Sequence, residues 1–300
     1  MPAKDSNASG SAPCRRRAVG DTLHGVDLAM TDPESVPDRA PGPGRTLGVI
    51  PARLASSRLP RKPLHPILGR PLLAWVWDRV RSMDLLDRVV VAVDDAELVD
   101  ACREMGAEAI LTDPAHPSGT DRVAEVARRE EFAAYDTVVN VQGDEPLLER
   151  AHISATLDLV REGWDVATCA TPITDDGEWR DPSSVKVVRD DGGGAMYFSR
   201  SAIPADRDGA SGPDVADPGT FLRHVGLYTY RREALARWVA LPEGRLERLE
   251  RLEQLRPLAA GIRIGVAVVE AAAPGVDTPE DAARMERLLE KQHGSTARRA

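Results

Sequence analysis

From Thr46 onward, short apolar runs alternate with stretches of helical periodicity. The runs TLGVI (46–50), RVVVAV (88–93), AEAILT (107–112) and DTVVNV (136–141) have the length and β-branched content of buried strands. Between them, residues 72–83, 96–105 and 121–131 repeat apolar positions at helical spacing. Alternation of this kind predicts an α/β fold built from right-handed β-α-β units, a mostly parallel, doubly wound sheet covered on both faces. Such sheets bind ligands at the carboxyl ends of their strands, so the strand tips are where chemistry is to be sought.

The second half predicts shorter strands at 165–171, 185–188, 195–198 and 224–230, helices at 232–240 and 246–258, a closing strand at 262–268 and a last helix from Pro279. This is a smaller, less regular subregion. LERLERLEQLR has too few heptads for a coiled coil, which needs three or four. Residues 1–45 are rich in Ala, Ser, Pro, Gly and Asp and lack periodicity, the signature of a disordered leader. The expected organisation is therefore a leader (1–45), one catalytic domain (46–290) and a flexible tail (291–300).

Composition narrows the partners. A formal net charge of -9 and a pI near 5.3 argue against a nucleic-acid polymer, whose backbone needs a basic face; any nucleotide must be held locally. Cys14, Cys102 and Cys169 fit neither a disulfide framework nor a zinc site, which points to the cytoplasm. No apolar run approaches the ~18 residues of a membrane helix.

Four stretches at strand exits carry candidate chemistry. IPARLASSRLPRKPL crowds Arg53, Arg58, Arg61 and Lys62 into a loop of prolines and small residues, able to offer cations and backbone N–H groups to a triphosphate, or else a solvated basic loop. Neither a Walker A nor a GxGxxG motif is present. In HPSGTDRVAEVA, Ser118 and Thr120 precede a helix and Gly119 permits close approach; the plain reading is an N-cap, the functional one an anion or base site. In VVNVQGDEP, Gly143 lets the chain turn, Asp144 presents a carboxylate above the sheet and Pro146 stops the strand. GVDTPEDA supplies a second acid, Asp277, before a helix start. Two such acids would suit Mg2+, which takes one or two carboxylates plus substrate phosphate oxygens; spacing alone leaves open whether they meet.

Together with SVKVV, YFSRSAIP, FLRHVGLYTYR and LEQLR, in this order, these stretches resemble the CMP-Kdo synthetases (3-deoxy-manno-octulosonate cytidylyltransferases) over residues 46–290. The resemblance implies Mg2+-dependent transfer of CMP from CTP to Kdo with release of diphosphate, in a homodimer. By position it implies that Arg53, Arg58 and Lys62 bind the triphosphate and that Ser118, Gly119, Thr120 and Arg122 surround the cytidine. Asp144 and Asp277 would hold the metal, while Gln142, Arg200, His224, Glu253 and Gln254 face the acidic sugar. The ordinary reading of His224 is a hydrogen-bonded core residue, and that of Glu253 and Gln254 a solvated helix face. Lys62, Arg53, Asp144 and Asp277 are the candidate catalytic set.

Departures from the family pattern fall near the site. Arg61 replaces a usual glycine; Val93, Asp94 and Asp95 replace a usual TDH; Ala205 replaces a usual Trp, ahead of a Gly-, Pro- and Asp-rich segment (208–219) that reads as a mobile loop. They leave an alternative acceptor for the same CTP chemistry, another small acid such as a phosphonate of secondary metabolism.

Overall fold

The computed structural model describes residues 44–205, 207, 213 and 219–296; the expected leader up to residue 43, and the 208–219 segment apart from Pro213 and Gly219, lie outside them, while Arg45, placed in that leader, opens the first strand. The first half runs β1 (Arg45–Ala52), a small ribbon of β2 (Pro66–Ile67) and β3 (Arg70–Pro71), α1 (Leu72–Ser82), β4 (Arg88–Val93), α2 (Ala96–Glu104), β5 (Ala109–Leu111), α3 (Gly119–Arg128) and β6 (Tyr135–Asn140). The second runs α4 (Arg150–Arg161), β7 (Val166–Pro172), α5 (Asp176–Arg180), β8 (Lys186–Arg189), β9 (Ala195–Ser199), β10 (Leu222–Arg231), α6 (Arg232–Ala240), α7 (Arg245–Glu250), α8 (Leu255–Ala259), β11 (Ile264–Val268) and α9 (Pro279–Thr296).

The main sheet has the order β11-β7-β10-β6-β1-β4-β5. Along it, β1 runs parallel to both β4 and β6, and β11 parallel to β7; β10 runs antiparallel between β6 and β7. The sheet is thus mostly parallel, as expected. The carboxyl ends of β1, β4, β6, β7 and β11 share one edge. The less regular second half is not a separate body, because β8 pairs with β10 in this same sheet.

Period-two alternation sorts the strands' side chains into two layers. Leu47, Val49, Val90, Ala92 and Val138 face Val123, Ala127, Leu235 and Trp238 of α3 and α6. Their neighbours Ile50, Val91, Val93, Val139 and Val141 face Val76, Leu98, Ile153 and Leu157 of α1, α2 and α4. Each fully buried aliphatic side chain contributes roughly 1.5–3 kcal/mol, so both faces must stay covered. A third cluster, including Leu59, Ile67, Val276 and Met285, joins the basic loop to α9.

Two expectations are corrected. Helix α4 was not expected, although Ile153, Leu157 and Val160 recur at helical spacing and are buried. The single helix expected at 246–258 is two, α7 and α8. Arg251 adopts a left-handed conformation (φ 53°) that ends α7, and Pro257 falls in the first turn of α8, where its missing N–H leaves no intrahelical bond unmade. The reversal carries Leu252 and Leu255 into the core and is held by Arg256, whose Nε donates to Glu247 Oε2 at 2.8 Å. Among the described residues, no helix is long and apolar enough to cross a membrane.

Candidate active site

After β1 the basic loop folds back across the strand tips, and a one-turn 3-10 helix, Lys62–Leu64, fixes the direction of Lys62. A cavity of about 520 Å³ opens above it, lined by Arg53, Arg58, Lys62, Ser118, Gly119 and Arg122 among others. Both the basic loop and the start of α3 therefore meet at one place. Ser118 caps α3, accepting the Asp121 N–H at 3.2 Å, so the positive end of that helix faces the cavity. Arg122 is buried and committed, donating to Thr112 Oγ1 and facing Asp94 at 3.5 Å. Asp94 in turn accepts the Leu54 N–H at 3.0 Å, which ties the basic loop to the tip of β4.

Two of the departures from the family pattern have local explanations. Arg61 sits in the left-handed region (φ 57°), where glycine is the easy residue, and its side chain turns outward to pair with Glu97 of α2. Asp95 caps α2, accepting the Glu97 N–H at 2.8 Å. Gly143 differs from expectation: its φ is not positive. It is required by close approach, since a Cβ there would meet the Pro51 carbonyl oxygen at 3.0 Å.

The two acids do meet. The Val276 N–H donates to the Asp144 carbonyl at 2.9 Å, which brings the strand exit after β11 against the tip of β6. Thr278 and Asp281 then form a capping box for α9, with Asp281 Oδ2 also accepting the Asp277 N–H at 3.1 Å. Asp277 is left pointing at Lys62, whose Nζ donates to Asp277 Oδ1 at 2.8 Å and also to Asp144 Oδ2. Arg58 Nη2 reaches the same Asp277 oxygen at 3.0 Å. Burial by itself would lower the pKa of Lys62, but the charge and hydrogen bonds of Asp144 and Asp277 outweigh it and raise the pKa above the usual ammonium value. Burial, with Asp144 adding to it, pushes the Glu145 carboxyl up to about 8, so Glu145 is mostly protonated at neutral pH.

No cluster of three or more metal-ligating side chains exists among the described residues. Asp144 and Asp277 nonetheless fit a hard divalent cation: two carboxylate oxygens already converge on one cationic centre, and such ions complete their shells with water and phosphate oxygens.

Gln142, Arg200, His224 and Glu253 line cavities that also hold Asp144 and Asp277, whereas Gln254 lines only a smaller neighbouring one. Gln142, His224, Glu253 and Gln254 line a cavity of about 220 Å³ together with Tyr228 and Trp238. A larger one, about 850 Å³, is lined by Gln142, Asp144, Arg200, Arg223, His224 and Asp277 among others. Arg58, Gln142, Asp144, Arg200 and Asp277 border both this space and the cation-lined cavity. His224 is neutral: burial, aided by Arg223, holds its pKa down to about 3, and its Nε2 lies 2.9 Å from Thr168 Oγ1. Glu253 and Gln254 do not occupy a solvated helix face. They lie in the break between α7 and α8, with Gln254 buried. Burial raises the Glu253 carboxyl despite hydrogen bonds from Thr120 and Ser118, so this acid abuts the start of α3.

Sequence reading missed Tyr228. Its ring lies against His224, centroids 5.3 Å apart, and its buried hydroxyl has no hydrogen-bond partner among the described residues. Buried polar groups are rarely left unpaired, which singles out Tyr228 among the residues that line the smaller cavity. Tyr228 reaches the cavity because the register of β10 shifts between Val225 and Tyr228, a bulge no sequence pattern announces.

A mostly parallel α/β sheet with a cation-lined cavity and paired acids at its strand tips defines a nucleotidyl-transferring enzyme. Residues 47–264 match the cytidylyltransferase family, and the chain belongs to that family. Among its relatives, the 3-deoxy-manno-octulosonate cytidylyltransferases of Gemmatimonas aurantiaca and Rhodospirillum centenum are 45% and 48% identical, each alignment covering 84% of this chain and 96% of the relative. The structure of a CMP:2-keto-3-deoxy-manno-octonic acid synthetase complexed with CTP aligns with a TM-score of 0.75 at 39% identity, over 83% of this chain and all of that one. A 4-diphosphocytidyl-2C-methyl-D-erythritol synthase shares the fold at 15% identity, with a TM-score of 0.55 over 82% of this chain and 99% of that one.

Proposed function

We propose that the protein transfers CMP from CTP to 3-deoxy-manno-octulosonate, with Mg2+ as the metal, releasing diphosphate. The observation that carries this reading is the meeting of the cation-lined and acceptor cavities at Asp144 and Asp277. A triphosphate held by Arg53, Arg58 and Lys62 has its α-phosphorus beside the acids, and an acceptor bound among Gln142, His224 and Glu253 presents its hydroxyl from the other side. Attack in line forms the oxygen–phosphorus bond, breaks the bond to the bridging oxygen, and sends both electrons to departing diphosphate as the hydroxyl loses its proton. Lys62 and Arg58 stabilise the negative charge that develops. Asp144 and Asp277 would hold Mg2+, which would supply Lewis acidity to the phosphate and to the acceptor hydroxyl. No side-chain nucleophile is needed. His224, uncharged, accepts or donates a hydrogen bond to the acceptor rather than contributing charge.

The reaction runs in a cytoplasmic homodimer; exposed Leu246, Leu249 and Met196 provide apolar surface for such a contact, and a solution mass equal to one chain would refute it. The reaction is tested by diphosphate release with CTP and Mg2+, comparing 3-deoxy-manno-octulosonate with no acceptor and with other small acids, phosphonates included. Release with that sugar acid alone supports the reading; release only with another acid overturns the acceptor and keeps the nucleotide chemistry.

A further inference from the structure

Lys186, the lysine of SVKVV, is fully buried in β8. Its ammonium has three protons and donates all three to backbone carbonyls: Asp181 at 2.8 Å, Ser184 at 2.5 Å and Arg200 at 2.8 Å. Three donors in a compact tetrahedral head match three converging carbonyls, an arrangement that neither a planar guanidinium nor an apolar side chain reproduces.

The carbonyls come from two segments that are separate in sequence and adjoin the acceptor space. One is the turn 181–184 between α5 and β8, whose Ser183 and Ser184 line the larger cavity; the other is Arg200, which follows β9 and borders both cavities. Arg200 repeats the tie from its own side. Its Nη1 donates to the Pro182 carbonyl at 3.0 Å and its Nε to the Glu250 carbonyl at 2.8 Å. Its backbone N–H donates to Glu250 Oε2 at 2.9 Å. The remaining edge of the guanidinium, Nη2, makes no hydrogen bond among the described residues and is free for an anion.

We propose that Lys186 is a positioning residue for the acceptor. Being fully buried, it touches no substrate; its ammonium clamps the 181–184 turn to Arg200 and so sets where the guanidinium stands in the wall an acidic acceptor meets. Without the ammonium, the Ser184 and Arg200 carbonyls lose this donor and the Asp181 carbonyl keeps only the Ser184 N–H at 3.2 Å, so among the described residues the turn is tied to Arg200 only through the Pro182 carbonyl and loosens. The inference rests on the proposed acceptor being an acid bound beside Arg200.

The test compares wild type with Lys186→Met at a temperature well below both melting points. The expected result is a tenfold or larger rise in KM for 3-deoxy-manno-octulosonate with KM for CTP changed by less than about twofold. A merely structural lysine would raise both together, and equal rises, or none, overturn the proposal. Should Lys186→Met fail to fold, Lys186→Gln, which keeps donors and loses the charge, carries the same comparison. Failure of the underlying reaction shows separately, as wild-type protein that releases no diphosphate with this acceptor. The clamp is then read by amide hydrogen exchange at Ser183 and Ser184, expected at least tenfold faster in the variant while α3 stays protected; unchanged exchange refutes it.

Discussion

Lys62 and Asp277 are 215 positions apart in sequence, yet the Lys62 ammonium donates to Asp277 Oδ1 at 2.8 Å while also holding Asp144. The protein's own cation occupies the place between the two acids where a metal would bind. If the acids hold the metal as proposed, lysine and metal compete unless the lysine is drawn away by phosphate. Lys62→Met is expected to bind Mn2+ about tenfold more tightly than wild type in the absence of nucleotide, equivalent to ~1.4 kcal/mol. Its turnover with CTP should fall roughly 10²- to 10³-fold. Electron paramagnetic resonance of free Mn2+ reads the first; binding no tighter than wild type would show that the lysine does not compete. Asp144→Asn and Asp277→Asn should each lose Mn2+ binding and at least about 100-fold in turnover with melting points near wild type, and normal rates in both would remove them from the metal site.

Tyr228→Phe separates stability from binding. The hydroxyl has no hydrogen-bond partner among the described residues, so deleting it should leave stability unchanged or raise it by up to ~1 kcal/mol. Loss of a hydrogen bond to the acceptor should raise its KM about tenfold. An unchanged KM would show that Tyr228 faces no ligand.

The depressed pKa of His224 has a definite sign. Folded, it binds a proton only near pH 3; unfolded, near 6.5. Between these values the unfolded chain holds more protons, so stability is fully present above pH 6.5 and is lost as pH falls toward 3. Allowing for partial exposure, wild type should lose ~1–2 kcal/mol more than His224→Asn between pH 7 and 5, measured by urea unfolding. Parallel losses in the two proteins would contradict a neutral buried imidazole.

Arg61 stands where a usual glycine suggested an effect on the nucleotide, but its side chain pairs outward with half-exposed Glu97. Such pairs contribute ~0–1 kcal/mol, and relief of the left-handed conformation offsets much of that. Arg61→Gly should change stability by less than about 1 kcal/mol and leave KM for CTP within about twofold. A large rise in that KM would return Arg61 to the nucleotide site.

The alternation of Val-rich runs with helical stretches is local, set by periods of two and 3.6, and it determined the strands of the first half, the sheet type and the edge where ligands bind. The strand-exit motifs also carried most of the site by their residue types. Pattern failed where long-range contact decides conformation. Arg251 breaks a run that reads as one helix, and α4 went unseen although its apolar spacing was there to read. Only the tertiary structure could bring Asp277 to Asp144, because that meeting is made by long-range contacts: the Val276 N–H on the Asp144 carbonyl, Lys62 between the two acids, and Val276 buried against Leu59 and Met285. The same holds for Tyr228, turned to the cavity by a bulge in β10, and for Lys186, whose three carbonyls come from segments that no spacing in the sequence relates.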